Sequence, residues 1–174
     1  MSRIVYVDGE FLPEEDATIS IFDRGFLMAD AVYEVTTVLD GKLIDFDGHH
    51  KRLERSLSEL DIKWSISMGD LLQIHRRLVA VNQVNEGGVY LQVTRGPADR
   101  DFLFPKEPKP TLVMFTQAKR IVDSATAIDG IKVISIEDLR WGRRDIKTTQ
   151  LLFPSIAKTM ANSQGCDDAW MVEE

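Results

Sequence analysis

Four Asp-Gly pairs divide the sequence and limit how its apolar segments can pair. They are Asp8-Gly9, Asp40-Gly41, Asp47-Gly48 and Asp129-Gly130. Both residue types tolerate the positive φ angles of tight turns, so an Asp-Gly pair between two strand-like runs predicts a β-hairpin. The first pair separates IVYV from EFL and the second separates VYEVTTVL from KLIDF, which predicts two hairpins. The third pair is predicted to end a strand just before a helix.

Helical and strand-like periodicities alternate along the rest of the chain. Helices are predicted over residues 49–60, over residues 70–82 with Asp70 as N-cap, and over residues 148–163. Further strands are predicted at GGVYLQVTRG, PTLVMFTQ, IKVISIEDL and DDAWMV. The apolar faces predicted for the three helices are Leu53, Leu57 and Leu60; Leu71, Ile74, Leu78 and Val81; and Leu151, Leu152, Ser155, Ile156 and Met160.

This order of elements predicts the fold class. Hairpin-linked strands followed by helices favour an α+β fold, with a mostly antiparallel sheet and flanking helices, over a doubly wound fold. The strand at DDAWMV stands at the end of the sequence and resembles the opening of a further structural unit.

Composition indicates a soluble globular protein and argues against two classes of partner. Of 174 residues, 44% are hydrophobic and 28% are charged. The net charge of −7 repels phosphate groups, so neither nucleic acid nor an anionic membrane surface is an expected partner. With one cysteine, no secretory signal pattern and no long apolar run, a cytoplasmic location is expected.

The histidines and the cysteine do not predict a metal site or a thiol nucleophile. The sequence has neither an HExxH nor a CxxC pattern. His49 and His50 are adjacent at a predicted helix start, so they point in different directions and are expected to be solvated. Cys166 stands beside Asp167 and Asp168, whose charges oppose thiolate formation, and is expected to be partly buried.

Lys147, in the stretch RRDIKTTQLL, is the one candidate nucleophile. Arg140, Arg143 and Arg144 precede it, and nearby cations favour the neutral amine, as burial beside Leu151 would. A neutral lysine amine is suited to Schiff-base chemistry with a carbonyl group. An ordinary surface lysine is the alternative, and these residues alone leave both interpretations open.

Three blocks of the sequence together resemble a known family. They are FDRGFLMADAVYEVTTVLDGKLIDFDGHHKRLERS, VYLQVTRGPADRDFLFP and EDLRWGRRDIKTTQLLFPSIAKTMANSQGCDDAW. In order and spacing they resemble the class IV (fold-type IV) aminotransferases, which depend on pyridoxal phosphate, and within them the D-amino acid aminotransferases. The similarity runs from Ile4 to the last residue of the sequence.

The resemblance implies roles for five residues. Lys147 would hold pyridoxal phosphate as an internal aldimine and later carry the proton between the substrate and the cofactor. Arg52 would bind the cofactor phosphate, for which a guanidinium is well suited. Tyr33 would contact the substrate carboxylate, with Val35 on the same strand face. Arg100 would reach the substrate carboxylate from the partner subunit of a homodimer.

The resemblance also implies a reaction and a division into domains. The reaction would be transamination between a D-amino acid, such as D-alanine, and a 2-oxo acid. Phe102 stands where the D-specific pattern has histidine, so a branched-chain aminotransferase and an aminodeoxychorismate lyase-like enzyme remain open. Residues 1–120 would be the N-terminal α/β domain, and residues 121–174 a linker and the incomplete start of a C-terminal domain. A truncated, non-catalytic fragment that dimerises is a further alternative.

Overall fold

A computed structural model describes residues 2–173 of the chain. Its internal contacts define two units. The first contains the residues up to Lys119 together with the short segment Ile146–Thr149. The second contains Arg120–Asp145 and the residues from Gln150 onward. The segment with the candidate lysine therefore belongs to the first unit, although it is distant in sequence from the rest of that unit.

A six-stranded antiparallel sheet forms the centre of the first unit. The order of its strands is β2-β1-β6-β5-β3-β4. This arrangement confirms the predicted α+β class with a mostly antiparallel sheet. The strands are β1 (Ile4–Val7), β2 (Glu10–Pro13), β3 (Ala31–Leu39), β4 (Lys42–Leu43), β5 (Glu86–Thr94) and β6 (Thr111–Ala118).

Two of the Asp-Gly pairs make the predicted hairpins. Asp8 and Gly9 join β1 to β2 with φ angles of 45° and 107°, and the second pair joins β3 to β4 in the same way. The prediction for the third pair was wrong, because Asp47 and Gly48 lie inside the helix α2 (Phe46–Glu59). The turn into this helix is made two residues earlier by Asp45, whose φ is 52°.

Two helices cover the sheet face that carries the even-numbered residues of β3. In α2 the buried side chains include Phe46, His50, Leu53 and Leu57, which recur at helical spacing. The second helix is α3 (Met68–Val81), and its ring contact between His75 and Phe46 of α2 joins the two helices. These helices leave the opposite face of the sheet to the odd-numbered residues of β3.

Two details of α3 differ from the prediction. Its N-cap is Ser67 and not Asp70, since the Ser67 hydroxyl accepts a hydrogen bond from the backbone N–H of Asp70. Leu71 and Leu78 are buried as predicted, with His75 completing the buried row. Val81 was predicted to be buried but is 47% exposed, because it lies at the end of the helix.

A short helix, α1 (Arg24–Met28), precedes β3 and was not predicted. Asp23 caps it by accepting a hydrogen bond from the Gly25 N–H. A Cβ atom at Gly25 would lie 2.4 Å from Thr94 Cγ2, so only glycine lets α1 approach the end of β5 this closely. With five residues, α1 is too short to show a helical period in the sequence.

The second unit has a β-α-β arrangement. Strands β7 (Val133–Glu137) and β8 (Asp168–Val172) are parallel, and α5 (Leu152–Ser163) lies between them in sequence. The short helix α4 (Ala125–Asp129) precedes β7. These strands occur at the predicted places, but α5 begins at Leu152 and not at residue 148.

The buried side of α5 is also not the predicted one. Its buried residues are Ala157 and Ala161. Leu152, Ile156 and Met160 are 76%, 50% and 44% exposed. The prediction was wrong here because the two-stranded sheet of this unit contacts one narrow side of the helix, and small residues occupy that side.

Candidate active site

Lys147 lies in an extended segment beside β3. The backbone N–H of Tyr33 donates to the Lys147 carbonyl at 3.0 Å, and the N–H of Thr149 donates to the Ala31 carbonyl at 3.2 Å. On its other side the Lys147 N–H is 3.4 Å from the hydroxyl oxygen of Ser56 in α2. The backbone of Lys147 is therefore held by a strand and by a helix, and not by the start of a helix as its sequence position suggested.

The side chain of Lys147 lies over an aromatic ring. Its Nζ atom is 4.1 Å from the centroid of the Tyr33 ring. At this distance the ring attracts a cationic amine, and it also limits the directions in which the amine can point. Lys147 and Tyr33, which the resemblance assigns to one site, are thus in contact.

Arg52 is held by a buried carboxylate on β3. Its Nε and Nη2 atoms each donate to an oxygen of Glu34 at 2.7 Å, and His49 Nδ1 donates to Glu34 Oε2 at 2.7 Å. The Glu34 side chain is 3% exposed, whereas that of Arg52 is 46% exposed. This two-point contact fixes the plane of the guanidinium and leaves both N–H groups of Nη1 unused by Glu34.

The charge of Glu34 depends on these partners. Burial pushes the pKa of Glu34 upward, but the hydrogen bonds from Arg52 and then from His49 outweigh this effect, so that the pKa lies below its ordinary value. The same hydrogen bond raises the pKa of Arg52. Both groups are therefore ionised at neutral pH.

Helix α2 carries Arg52 on the same face that approaches the backbone of Lys147. Arg52 and Ser56 are four residues apart in this helix and so lie on one face. Ser56 is the residue whose hydroxyl approaches the Lys147 backbone. One face of α2 therefore carries both the candidate phosphate-binding cation and the contact to the candidate nucleophile.

The odd-numbered residues of β3 begin an aromatic row on the other sheet face. The Tyr33 and Tyr90 rings stack with centroids 5.7 Å apart, and the Tyr90 and Phe115 rings are 4.8 Å apart. Val35, on the same face, is 43% exposed. Burial raises the pKa of Tyr90 to about 12, so its hydroxyl stays protonated and donates to Gln92 Oε1. The three stacked rings form an aromatic surface, and the Lys147 amine contacts its first ring, Tyr33.

Arg100 is not brought to this group of residues. It is exposed, in the loop between β5 and β6, and its Cζ atom is 5.6 Å from the centroid of the Phe102 ring. The Phe102 ring is 80% exposed. Among residues 2–173, the contacts of Lys147 and Arg52 do not include Arg100.

The three arginines that precede Lys147 have acidic partners within the second unit. Arg140 and Arg144 contact Asp138, and Arg143 contacts Asp145. The hydrogen bond from Arg140 is the main cause that holds the pKa of Asp138 well below its usual range. Each of the three arginines thus has an acidic partner.

Glu34 is not among the residues predicted from the sequence, and the prediction for the histidines was wrong. His49 and His50 were expected to be solvated, but His49 is bonded to Glu34 and His50 is 6% exposed. The reason is that α2 begins earlier than predicted, so both lie within its first two turns. A sign of Glu34 was available, because it is the charged residue among the alternate positions Val32, Thr36 and Val38 of one strand.

The described part of the chain shows neither a metal-binding cluster nor a membrane-spanning helix. Among residues 2–173 there is no group of three or more His, Cys, Asp or Glu side chains placed to hold a metal ion. Over the same range, the helices lack the length and apolar character needed to span a bilayer.

Comparison with protein families gives a match over most of the chain. The sequence model of the amino-transferase class IV family matches residues 31–174. D-alanine aminotransferase of Staphylococcus epidermidis is 39% identical over 159 residues, which are 90% of this chain and 56% of that protein. The chain thus spans a little more than half the length of this curated relative.

Solved structures with a similar fold include two kinds of enzyme. The branched-chain amino acid aminotransferase of Escherichia coli matches with a TM-score of 0.87 and 16% identity, over 99% of this chain and 60% of that one. The 4-amino-4-deoxychorismate lyase of Pseudomonas aeruginosa matches with a TM-score of 0.72 and 22% identity, over 97% and 61%. At these identities the similarity shows a common fold.

Proposed function

The chain belongs to the class IV aminotransferase family, and on this premise we propose that it is the part of a D-amino acid aminotransferase that carries the reactive lysine. Enzymes of this family depend on pyridoxal phosphate. The proposed reaction moves the amino group of a D-amino acid to a 2-oxo acid. The observation that carries the proposal is the position of the Lys147 amine, 4.1 Å from the centroid of the Tyr33 ring, on a segment whose backbone N–H approaches Ser56, one helical turn from Arg52 in α2.

The side chains of the site fit the proposed cofactor. Pyridoxal phosphate offers an aldehyde, for which Lys147 has a primary amine, and a phosphate, for which Arg52 has the Nη1 donor not used by Glu34. Glu34 and His49 would orient Arg52, because their contacts fix the plane of its guanidinium. When bound, the cofactor supplies an electron sink that makes the Cα–H bond of the amino acid acidic.

Lys147 would also carry a proton. Its amine would take the proton from the substrate Cα and pass it to the cofactor, as a positioned acid–base group does. In the second half of the reaction it would move a proton in the reverse direction. The two backbone hydrogen bonds of this segment to β3 keep the amine from drifting during these steps. Tyr33, beneath the amine, would orient the substrate carboxylate through its hydroxyl, and Val35 would border the same space.

Arg100 would bind the substrate carboxylate, from the partner subunit of a homodimer. Arg100 is exposed and contacts the Phe102 ring of its own loop, which is compatible with this arrangement. The similarity to D-alanine aminotransferases at 39% identity favours a D-amino acid as substrate. Phe102 favours the alternative of a larger apolar amino donor, such as a branched-chain amino acid, because an exposed ring offers apolar surface in place of a hydrogen-bond donor.

Covalent labelling of Lys147 tests the proposed function. The protein is incubated with pyridoxal phosphate and reduced with sodium borohydride, and its peptides are analysed by mass spectrometry. We expect a phosphopyridoxyl group on the peptide that contains Lys147, and its loss in Lys147→Ala. Arg52→Lys should weaken cofactor binding by about 10-fold, because an ammonium cannot replace a two-point guanidinium contact.

Lys158→Ala is the matched control for this experiment. Lys158 is 64% exposed and pairs with Asp168 in the second unit, so labelling at Lys147 should not change. Labelling that survives in Lys147→Ala with the same yield would contradict the assignment. D-alanine, L-leucine and an aromatic amine compared as donors would then decide among the substrate classes.

A further inference from the structure

A buried arginine holds the loop of Arg100 from its inner side. Arg24, in α1, is 3% exposed. Its Nη1 group donates to the backbone carbonyl of Asp101 at 2.7 Å and lies 3.5 Å from that of Leu103. These two carbonyl groups flank Phe102. The backbone carbonyl groups on both sides of Phe102 therefore point toward the buried Arg24. The side chains of Phe102 and Leu103 remain 80% and 77% exposed.

Asp30 fixes the guanidinium of Arg24. Its Oδ2 atom accepts from Arg24 Nε at 2.7 Å and from Arg95 Nε at 2.8 Å. Arg95 is 2% exposed and donates further to the carbonyl groups of Leu60 and Asp61, at the end of α2. Asp30 directly precedes β3, and Leu60 and Asp61 directly follow α2. Because these acceptors are fixed by the sheet and the helix, the two buried guanidinium groups have little freedom to move.

Phe104 closes the loop over the same pair of arginines. Its ring centroid is 3.6 Å from the Cζ atom of Arg95 and 5.8 Å from that of Arg24. The start of the loop is tied as well, since the Ala98 N–H donates to the Phe22 carbonyl at 3.1 Å. The loop from residue 97 to residue 104 is thus anchored at both ends and in its middle, by backbone groups and one ring.

The corner that carries Arg24 also holds the lysine segment. The Thr149 hydroxyl is 3.4 Å from the Ala29 carbonyl, and the Thr149 N–H donates to the Ala31 carbonyl at 3.2 Å. Residues 24–31 therefore contact the Arg100 loop on one side and the Lys147 segment on the other. A change in this corner would alter both.

Resting on the proposed role of Arg100, we propose that Arg24, oriented by Asp30, is the positioning residue for this substrate-binding loop. Residues 99–103 are all exposed, so their side chains do not fix the position of the loop. An arginine that binds a carboxylate from such a loop therefore needs hydrogen bonds to the loop backbone, which Arg24 supplies. The planar guanidinium reaches Asp30 and the loop carbonyl groups at once. A lysine ammonium is a compact charge and cannot span the same acceptors.

Arg24→Lys tests this inference, with Arg77→Lys as the matched control. Arg77 lies in α3 and also stacks on a ring, 3.9 Å from the centroid of Phe11, but is not part of the loop. We expect amide hydrogen exchange of residues 97–104 to become about 10-fold faster in Arg24→Lys and to stay unchanged in Arg77→Lys. In the cofactor-loaded protein, KM for the D-amino acid should rise about 10-fold with kcat within about 2-fold.

Two results would overturn the inference. One is unchanged exchange of residues 97–104 in Arg24→Lys. The other is a fall in kcat with an unchanged KM, which indicates loss of folded protein and a merely structural role. If Arg24→Lys does not fold, Phe104→Leu decides, because its ring is 58% exposed and it should loosen the same loop and raise the same KM. Failure of the proposed function appears separately, as absent labelling of Lys147.

Discussion

At the scale of single residues, His75 shows how burial changes a side chain that looks ordinary in the sequence. It is 2% exposed, its Nδ1 atom donates to the Leu71 carbonyl at 2.8 Å, and its ring meets that of Phe46 edge-on. Burial lowers the pKa of His75 from 6.5 to about 4, although the hydrogen bond to Leu71 opposes this change. His75 is therefore neutral in the folded protein.

This pKa predicts a loss of stability in mild acid. The unfolded chain takes up a proton on His75 as the pH falls through 6.5, whereas the folded chain does so only near 4. The free energy of unfolding should thus decrease between these values, by about 2 kcal/mol at pH 5. Urea unfolding at pH 7 and pH 5 measures this difference.

His75→Gln should remove most of that pH dependence, whatever it does to the stability at pH 7. His50→Gln keeps His75 and is the control, in which the decrease toward pH 5 should persist. An equally large decrease in His75→Gln would show that another group causes it.

At the scale of elements, Glu34 joins strand β3 to helix α2. A carboxylate at a buried strand position is tolerated because Arg52 and His49 both reach it from one side of the helix. The sequence shows the charge within an apolar row, but the partner depends on the rotation of α2 about its axis. That rotation follows from burial of Phe46 and Leu53 against the sheet, which the sequence does not state directly.

Glu34→Gln tests whether the pairing of Glu34 with Arg52 contributes more to stability than an ordinary surface charge pair does. We expect the free energy of unfolding at pH 7 to fall by about 2 kcal/mol, since hydrogen bonds to charged groups are lost in a buried place. The affinity for pyridoxal phosphate should fall as well, because Arg52 is no longer held in one plane. Urea unfolding and a cofactor titration measure the two effects.

The pH dependence of this variant has a definite sign. The pKa of Glu34 lies below its ordinary value of 4.5, so its stabilisation is complete above pH 4.5 and is lost as the pH falls through the lower folded value. The difference between the wild type and Glu34→Gln should shrink in the same range. Glu54→Gln is the control, because Glu54 is 60% exposed and should change stability by less than about 0.5 kcal/mol.

At the scale of the whole molecule, the division of the chain is not linear in sequence. We propose a domain boundary near residue 120, with residues 121–174 as the linker and start of a C-terminal domain. The four residues Ile146–Thr149 nevertheless associate with the first unit, through their hydrogen bonds to β3. Lys147, the proposed cofactor-binding lysine, is thereby anchored to the sheet that carries Tyr33.

We further predict that the protein forms a homodimer through the loop and corner described above. Phe102, Leu103, Ile21, Phe22 and Phe26 are each at least 51% exposed, and the Ala98–Phe22 hydrogen bond places the two segments side by side. A large exposed apolar patch of this kind indicates an interface. Sedimentation velocity should give twice the monomer mass of 19.7 kDa at micromolar concentrations.

The variant Phe102→Ser/Leu103→Ser should shift this equilibrium toward the monomer. Val81→Ser is the control, because Val81 is 47% exposed on α3 and is not part of the patch. A monomer in the wild type at all concentrations would contradict the predicted dimer.

The sequence by itself determined the strands, the hairpins at Asp8-Gly9 and Asp40-Gly41, and the family, because alternation, turn chemistry and ordered motifs are local properties. Only the tertiary structure decided which residues meet. The segment of Lys147 pairs with β3, more than a hundred residues earlier, and Arg24 reaches the carbonyl groups around Phe102. Such contacts depend on how helices and strands pack in space, and backbone carbonyl groups have no signature in an amino-acid sequence.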